Sequence, residues 1–203
     1  MNARSLITFV LLITGIHCTA QYSESSDDVR DITRANLISP GLGYEKRVGK
    51  YQTLYLQGFL SLSGGVGYSS SQGFLSHFYI DPTLSLEYRY FYNFRSRQER
   101  GKRVDMNSAN YLSPFFRTVF AKRDYVDEMG NIDSKRKNIN AVGVTWGLQR
   151  NFNSRLCVDV NIGAGYIFGG DNYVNDGELF TQRDGQFFVP TRITLGFWLN
   201  KRK

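Results

Sequence analysis

His77 is the first residue to weigh for chemistry, because Ser76 adjoins it and Asp81 follows four residues later. These are the residue types of nucleophilic acyl transfer, in which nucleophile and base must lie within roughly 2.6 to 3.2 Å of each other. Neighbouring residues of a strand point to opposite faces. Ser76 and His77 therefore do not meet that demand, and a serine among residues 69 to 71 is the alternative nucleophile. Asp171 to Gln186 is rich in acids and amides, yet it lacks the D-x-[DN]-x-[DN]-G spacing of a calcium loop. Of the two cysteines, Cys18 falls in a leader-like segment, which leaves Cys157 alone and rules out a disulfide or a cysteine metal site. The expectation is a chain with no catalytic residue, no cofactor and no metal.

A second set of charged residues has a clearer pattern. Glu45, Asp81, Glu87, Arg89, Arg117, Asp159 and Arg192 all fall on the polar side of alternating segments. Four acids and three bases inside a narrow barrel can pair with one another and replace the hydration they lose. They are read as a structural ion-pair network within a lumen.

The elements that must position these charges are strands. In Leu156 to Phe168, one face carries Leu156, Val158, Val160, Ile162, Ala164, Tyr166 and Phe168. The other carries Cys157, Asp159, Asn161, Gly163 and Gly165, until Ile167 breaks the alternation. The same period of two runs through Asn36 to Arg47, Gln52 to Val66, Phe78 to Tyr92, Asn138 to Gln149 and Phe187 to Asn200. It is less clean in Asn110 to Phe120, where Phe115 falls on the polar side. Such segments exceed the usual 5 or 6 residues of soluble strands and match the 9 to 11 of a tilted membrane-spanning strand. Val48 to Tyr51 and Asn151 to Arg155 read as tight turns. Residues 67–76, 121–136 and 169–186 read as long external loops, and the basic link Asn93 to Asn107 as a solvated linker on the inner side, with a helical turn as the alternative. An even strand number requires an eighth strand, for which Val29 to Ser39 is the candidate. It would turn at Pro40-Gly41 and leave a following strand of about seven residues, close to the lower limit for spanning. One continuous strand through Pro40 is the alternative.

The ends fit export. Arg4 followed by the apolar run Leu6 to Ile16 and by Cys18-Thr19-Ala20 reads as a signal peptide over residues 1–20, cleaved before Gln21. Residues 21–203 then form one barrel domain. The formal charge of +7 suits anionic headgroups better than nucleic acid, which an exported chain rarely meets.

Alternation alone also fits a soluble, lipocalin-like periplasmic barrel with its apolar face inward. The polar face, however, is mostly Gly, Ser, Thr and Asn, and aromatic residues such as Tyr88, Tyr90, Tyr92, Tyr166 and Phe168 cluster at the ends of the apolar face. Both features favour an all-β, antiparallel, up-and-down transmembrane β-barrel of eight strands. The leader, the run Leu84 to Asn93 (LSLEYRYFYN) and the ending Ile193 to Trp198 (ITLGFW) resemble small outer-membrane β-barrel proteins of Gram-negative bacteria, of the OmpA-like transmembrane type. The resemblance implies an outer-membrane location among lipid and lipopolysaccharide. It also implies insertion by the barrel-assembly machinery, which commonly reads a terminal aromatic; here Phe197 or Trp198 would serve internally. The expected role is structural or surface-binding, with an unknown extracellular ligand. An eight-stranded barrel is about filled by its own side chains, so a porin-like channel is not expected. Because some barrels resembling this one modify lipid A, a lipid A hydrolase or acyltransferase using His77 is the alternative.

Overall fold

The computed structural model describes residues 28–69, 73–126, 132–152, 154–168 and 185–200. Its strands are β1 (Ile32–Asn36), β2 (Gly41–Arg47), β3 (Gln52–Ser69), β4 (Gly73–Tyr90), β5 (Asn110–Val126), β6 (Ile132–Asn151), β7 (Leu156–Phe168), β8 (Gln186–Phe188) and β9 (Thr191–Trp198). A single short helix, α1 (Phe94–Glu99), follows β4. Every pairing is antiparallel, consecutive strands pair from β1 to β8, and β9 pairs with both β7 and β1, closing the sheet into a ring. β8 and β9 act as one stave: β9 pairs with the lower part of β7 and β8 with its upper part. Eight staves result. The leader assigned to residues 1–20 lies outside the described residues.

Closure occurs where the sequence left two options. The chain turns at Pro40, so β1 and β2 are separate strands rather than one, and β2 has the seven residues expected. Arg34, Ala35 and Asn36 pair with Trp198, Phe197 and Gly196. Asn200 extends the clasp: its Oδ1 accepts from Thr33 N–H at 2.8 Å, and its Nδ2 donates to Asp31 O at 3.0 Å.

The four prolines mark the irregularities of the ring. Pro40 makes the β1–β2 turn, and Pro190 separates β8 from β9. The other two both weaken the β4–β5 seam. Leu60, opposite Pro82, donates its N–H to Pro40 O on the β2 side at 2.9 Å. Backbone polar groups alternate along an antiparallel strand, so Pro82 faces β5 and has no donor to offer there. The β4–β5 ladder accordingly ends at Thr83–Val119. Just before β5, Ala109 O accepts from Gln149 N–H on the β6 side. Even-numbered residues of β5, including Pro114, therefore face β4. Tyr88 and Arg89 are the β4 positions missing from the ladder beside it. By contrast, β3–β4 is paired from Gln52–Tyr90 to Ser69–Gly73, and β5–β6 from Asn110–Leu148 to Val126–Ile132. Beyond Thr83–Val119, two independent hairpin ribbons leave the ring.

These ribbons correct two expectations. Residues 67–76 and 121–136 are mostly strand, not long loops; 70–72 and 127–131 lie outside the described residues. A strand outside a lipid or protein environment needs no apolar face, so its alternation fades while its ladder persists. The third expected loop, 169–186, lies outside the described residues up to 184.

The link Asn93 to Asn107 is also corrected. It is a folded cap rather than a solvated linker, and α1 is the helical turn held as the alternative. Phe94 of α1 is buried with Val29, Phe91, Ala109 and Tyr111 under the ring, and Tyr51 and Val104 pack against them. Arg97 holds the cap together, donating to Ser108 O at 3.0 Å and Arg103 O at 3.1 Å. Asn107 adopts φ 61°, a left-handed conformation that Asn tolerates better than most residues. From there its amide engages the Arg30 backbone in both directions.

Candidate functional site: the charged lumen

Burial is inverted relative to a soluble barrel. Thr53, Gln57, Ser85, Glu87, Arg89, Ser113, Gln149 and Asp159 face inward and are buried. Leu54, Leu56, Leu84, Leu86, Phe116, Val144, Trp146 and Ile193 face outward and are exposed. On β3 the exposed apolar positions run from Leu54 to Leu62. Nine residues rising about 3.3 Å each and tilted by about 40° cover roughly 23 Å, close to the apolar band of about 25 Å on membrane barrels. Aromatic pairs border the outward surface. Tyr92 Oη accepts from Trp146 Nε1 at 2.8 Å at the capped end. Phe116–Phe168 and Tyr166–Phe187 form ring contacts toward the other end, with centroids at 6.5 and 5.2 Å.

The inward charges form one network across the lumen. Glu87 on β4 takes Arg89 Nη2 at 2.7 Å and Arg192 Nη2 of β9 at 2.6 Å. Arg89 also reaches Asp159 of β7 at 2.8 Å and Gln149 Oε1 of β6 at 2.9 Å. Arg34 of β1 joins Asp159 at 3.4 Å and pairs closely with Glu45 of β2. Thr53 at 2.8 Å and Asn107 of the cap at 3.0 Å complete the ligation of Glu45. Tyr111 Oη donates to Asp159 at 2.7 Å. The Arg89 guanidinium is sandwiched between the rings of Tyr55 and Tyr111, at 4.0 and 4.4 Å. Such stacking adds cation–π attraction where water is excluded.

Three arginines and three carboxylates thus neutralise one another. That balance is what permits their burial, since an unpaired ion would cost several kcal/mol. Of the seven expected residues, Glu45, Glu87, Arg89, Asp159 and Arg192 are brought together. Asp81 and Arg117 also face the lumen but join none of these pairs. Asp81 is buried beside Ser61 and Thr83, which donate to its carbonyl. Arg117 lies over the rings of Phe59 and Phe115, at 5.9 and 5.3 Å. Arg34 was missed. Its face depends on where the chain turns, and two registers around Pro40 remained open in the sequence.

The lumenal glycines provide room for aromatic rings. A Cβ on Gly43 would collide with the Tyr55 ring, on Gly147 with Tyr111, on Gly143 with Phe115 and on Gly165 with Phe188. Each ring lies over a glycine of a neighbouring strand, which accounts for these four glycines; at Gly163 and Gly196 a Cβ would meet neighbouring backbone instead. The two breaks in alternation have a common cause as well. Phe115 and Ile167 join Ala121, Ile139 and Ala141 in an apolar cluster inside the ring, beyond the ion pairs.

The acyl-transfer residues are not assembled by β4. His77 lies opposite Gly65, Ser76 opposite Val66 and Asp81 opposite Ser61. Four residues of extended strand separate His77 from Asp81 by roughly 13 Å. Ser69 pairs with Gly73, equally far along the strand; Ser70 and Ser71 lie outside the described residues, as does the side chain of His77. Among the described residues no group of three His, Cys, Asp or Glu side chains could hold a metal ion.

No protein-family model, curated protein or solved structure matches the chain. Its function has to be argued from the barrel and its lumen.

Proposed function

We propose that the chain is a small outer-membrane β-barrel with a structural or surface-binding role and a lumen sealed against conduction. The observation that carries this reading is the inversion of burial: a neutralised ion-pair network inside and a banded apolar surface with aromatic borders outside. A lipocalin-like barrel requires the opposite arrangement, with its apolar face around the ligand. In this reading lipid covers the exposed leucines, and the cap at Phe94 together with Arg89 and its partners fills the lower lumen. Insertion would follow export and delivery to the barrel-assembly machinery. Phe197 faces outward and is the aromatic available for recognition, whereas Trp198 is buried against Ile32 and Cys157.

Two measurements test the proposal together. Fractionation should recover the protein in the outer membrane, with heat-modifiable migration on a gel after detergent extraction. Planar bilayers containing it should show no stable single-channel current. Recovery in the soluble fraction, or a reproducible conductance step, would overturn location or sealing respectively.

A further inference from the structure

Between the ion pairs and the apolar cluster, the lumen holds a layer of buried polar side chains with hydrogen-bonding groups to spare. Arg192 is 6 % exposed; its Nη2 binds Glu87 Oε1 at 2.6 Å, while its Nε and Nη1 have no partner. Gln57 is fully buried, and neither its Nε2 nor its Oε1 is partnered. Asn36 Nδ2 and Asn161 Oδ1 are in the same condition, as is Arg117 Nε. Buried polar groups of native proteins nearly always find partners, so a cluster of orphans in one place calls for an explanation.

The strand register brings these groups together. Asn161 lies directly opposite Arg192. Ser85 lies opposite Gln57 on one side and Arg117 on the other. Arg192 crosses the lumen to that wall, because Glu87 Oε1, which takes its Nη2, also lies 3.5 Å from Ser85 Oγ. Asn36 leans over Gly196 of β9, where a Cβ would come within 2.7 Å of its Oδ1.

The chemistry of the layer is one-sided. Five of its seven orphan atoms are nitrogen donors, three of them on arginines, and two are amide oxygens. Glu87, the acid beside it, is already shared by Arg89 and Arg192. Asp81 lies four residues along β4 from Ser85, roughly 13 Å of extended strand. Arg117 makes no ion pair among the described residues and lies over Phe59 and Phe115. Charge-assisted donors shielded from water suit an anion, and closure by the cap below and the apolar cluster above suits a small one.

We propose that this layer binds a small monovalent anion of the halide class. Arg192 Nε and Nη1, Gln57 Nε2, Asn36 Nδ2 and Arg117 Nε supply the donors. The anion is a fixed counter-ion within a closed lumen, and the site belongs to the ring wherever the barrel resides.

The test follows urea unfolding of the full barrel in detergent micelles at constant ionic strength, with chloride replacing the bulky anion gluconate. Gln57→Leu removes both amide groups at similar volume, and Gln57→Glu places a carboxylate among the same donors; gel migration checks that each folds. The wild-type midpoint should rise with chloride and saturate, as binding to the folded state alone requires, and bromide should act likewise. Half-saturation should need at least tenfold more chloride in Gln57→Leu, and Gln57→Glu should no longer respond. A wild-type midpoint equal in chloride and gluconate would mean that water serves these donors, and would overturn the proposal. A full chloride response in either variant would place the anion elsewhere and overturn it too. If neither variant folds, anomalous scattering from wild-type crystals grown in bromide decides. A peak within hydrogen-bond reach of Arg192 Nη1 and Gln57 Nε2 supports the site, and no peak there refutes it.

Discussion

The two seams flanking β5 differ sharply, although both join long strands of one sheet. The β5–β6 seam runs without interruption from Asn110–Leu148 to Val126–Ile132. The β4–β5 seam skips Tyr88 and Arg89 and stops at Thr83–Val119. Apolar outward residues flank both, so hydrophobicity does not distinguish them. The difference is two missing backbone donors, Pro82 on β4 and Pro114 on β5, each aimed at the other strand of that seam. Where the seam is weak, the wall is supported instead from within: Glu87 and Arg89 of β4 reach Arg192 and Asp159 on the far wall, and Tyr111 of β5 also binds Asp159. The ion pairs therefore tie together staves that the backbone ladder leaves loosely joined.

Breaking that internal tie should have the largest effect. Glu87→Ala strands Arg89 and Arg192 without their shared carboxylate in a buried setting. Removing one partner of a buried pair costs about 3 to 5 kcal/mol. The variant should lose its heat-resistant folded band at a markedly lower temperature, or fail to fold; unchanged migration would mean that the network does not hold the ring. Filling a ring-bearing glycine should cost less. Gly147→Val pushes into the Tyr111 ring, and overpacking of this kind costs typically 1 to 3 kcal/mol; urea unfolding in detergent would read it. Gly58→Ala, where a Cβ meets nothing within 4 Å, should be nearly silent in the same assay.

The smallest effect sharpens the comparison rather than breaking it. Pro82→Val restores an N–H facing β5 and should extend the ladder by one hydrogen bond, for which about 0.5 to 1.5 kcal/mol is usual. Amide exchange should slow from Thr83 to Leu86 and leave the β5–β6 seam unchanged. Faster exchange across β4 would show that proline is not what ends the ladder.

The closed part of the barrel was legible in the sequence because two unlike environments, a polar lumen and an apolar exterior, impose a period of two. β7 was readable to its ends, Leu156 and Phe168, and the faces of Glu87, Arg89, Asp159 and Arg192 followed directly. Beyond the apolar band that constraint disappears, and the charged stretch around Lys122 and Lys135 resembled a loop while pairing as a ribbon. The cap was hidden for a related reason. Phe94, Val104 and Ala109 have no regular spacing, and the arginines around them suggested solvent. Arg34 depended on a turn at Pro40 that two registers could satisfy, and only ring closure through Asn200 distinguishes them.

The chain's two tryptophans offer the most direct test of the inverted barrel, because Trp146 is exposed on the outward face and Trp198 is buried inside the ring. Trp198→Phe and Trp146→Phe each leave a single emitter, to be placed in bilayers containing brominated lipid, whose acyl-chain bromines quench indole fluorescence at close range. Strong quenching of Trp146 and weak quenching of Trp198 is the predicted result. Equal quenching of the two, or an unquenched Trp146, would contradict an apolar exterior in contact with lipid.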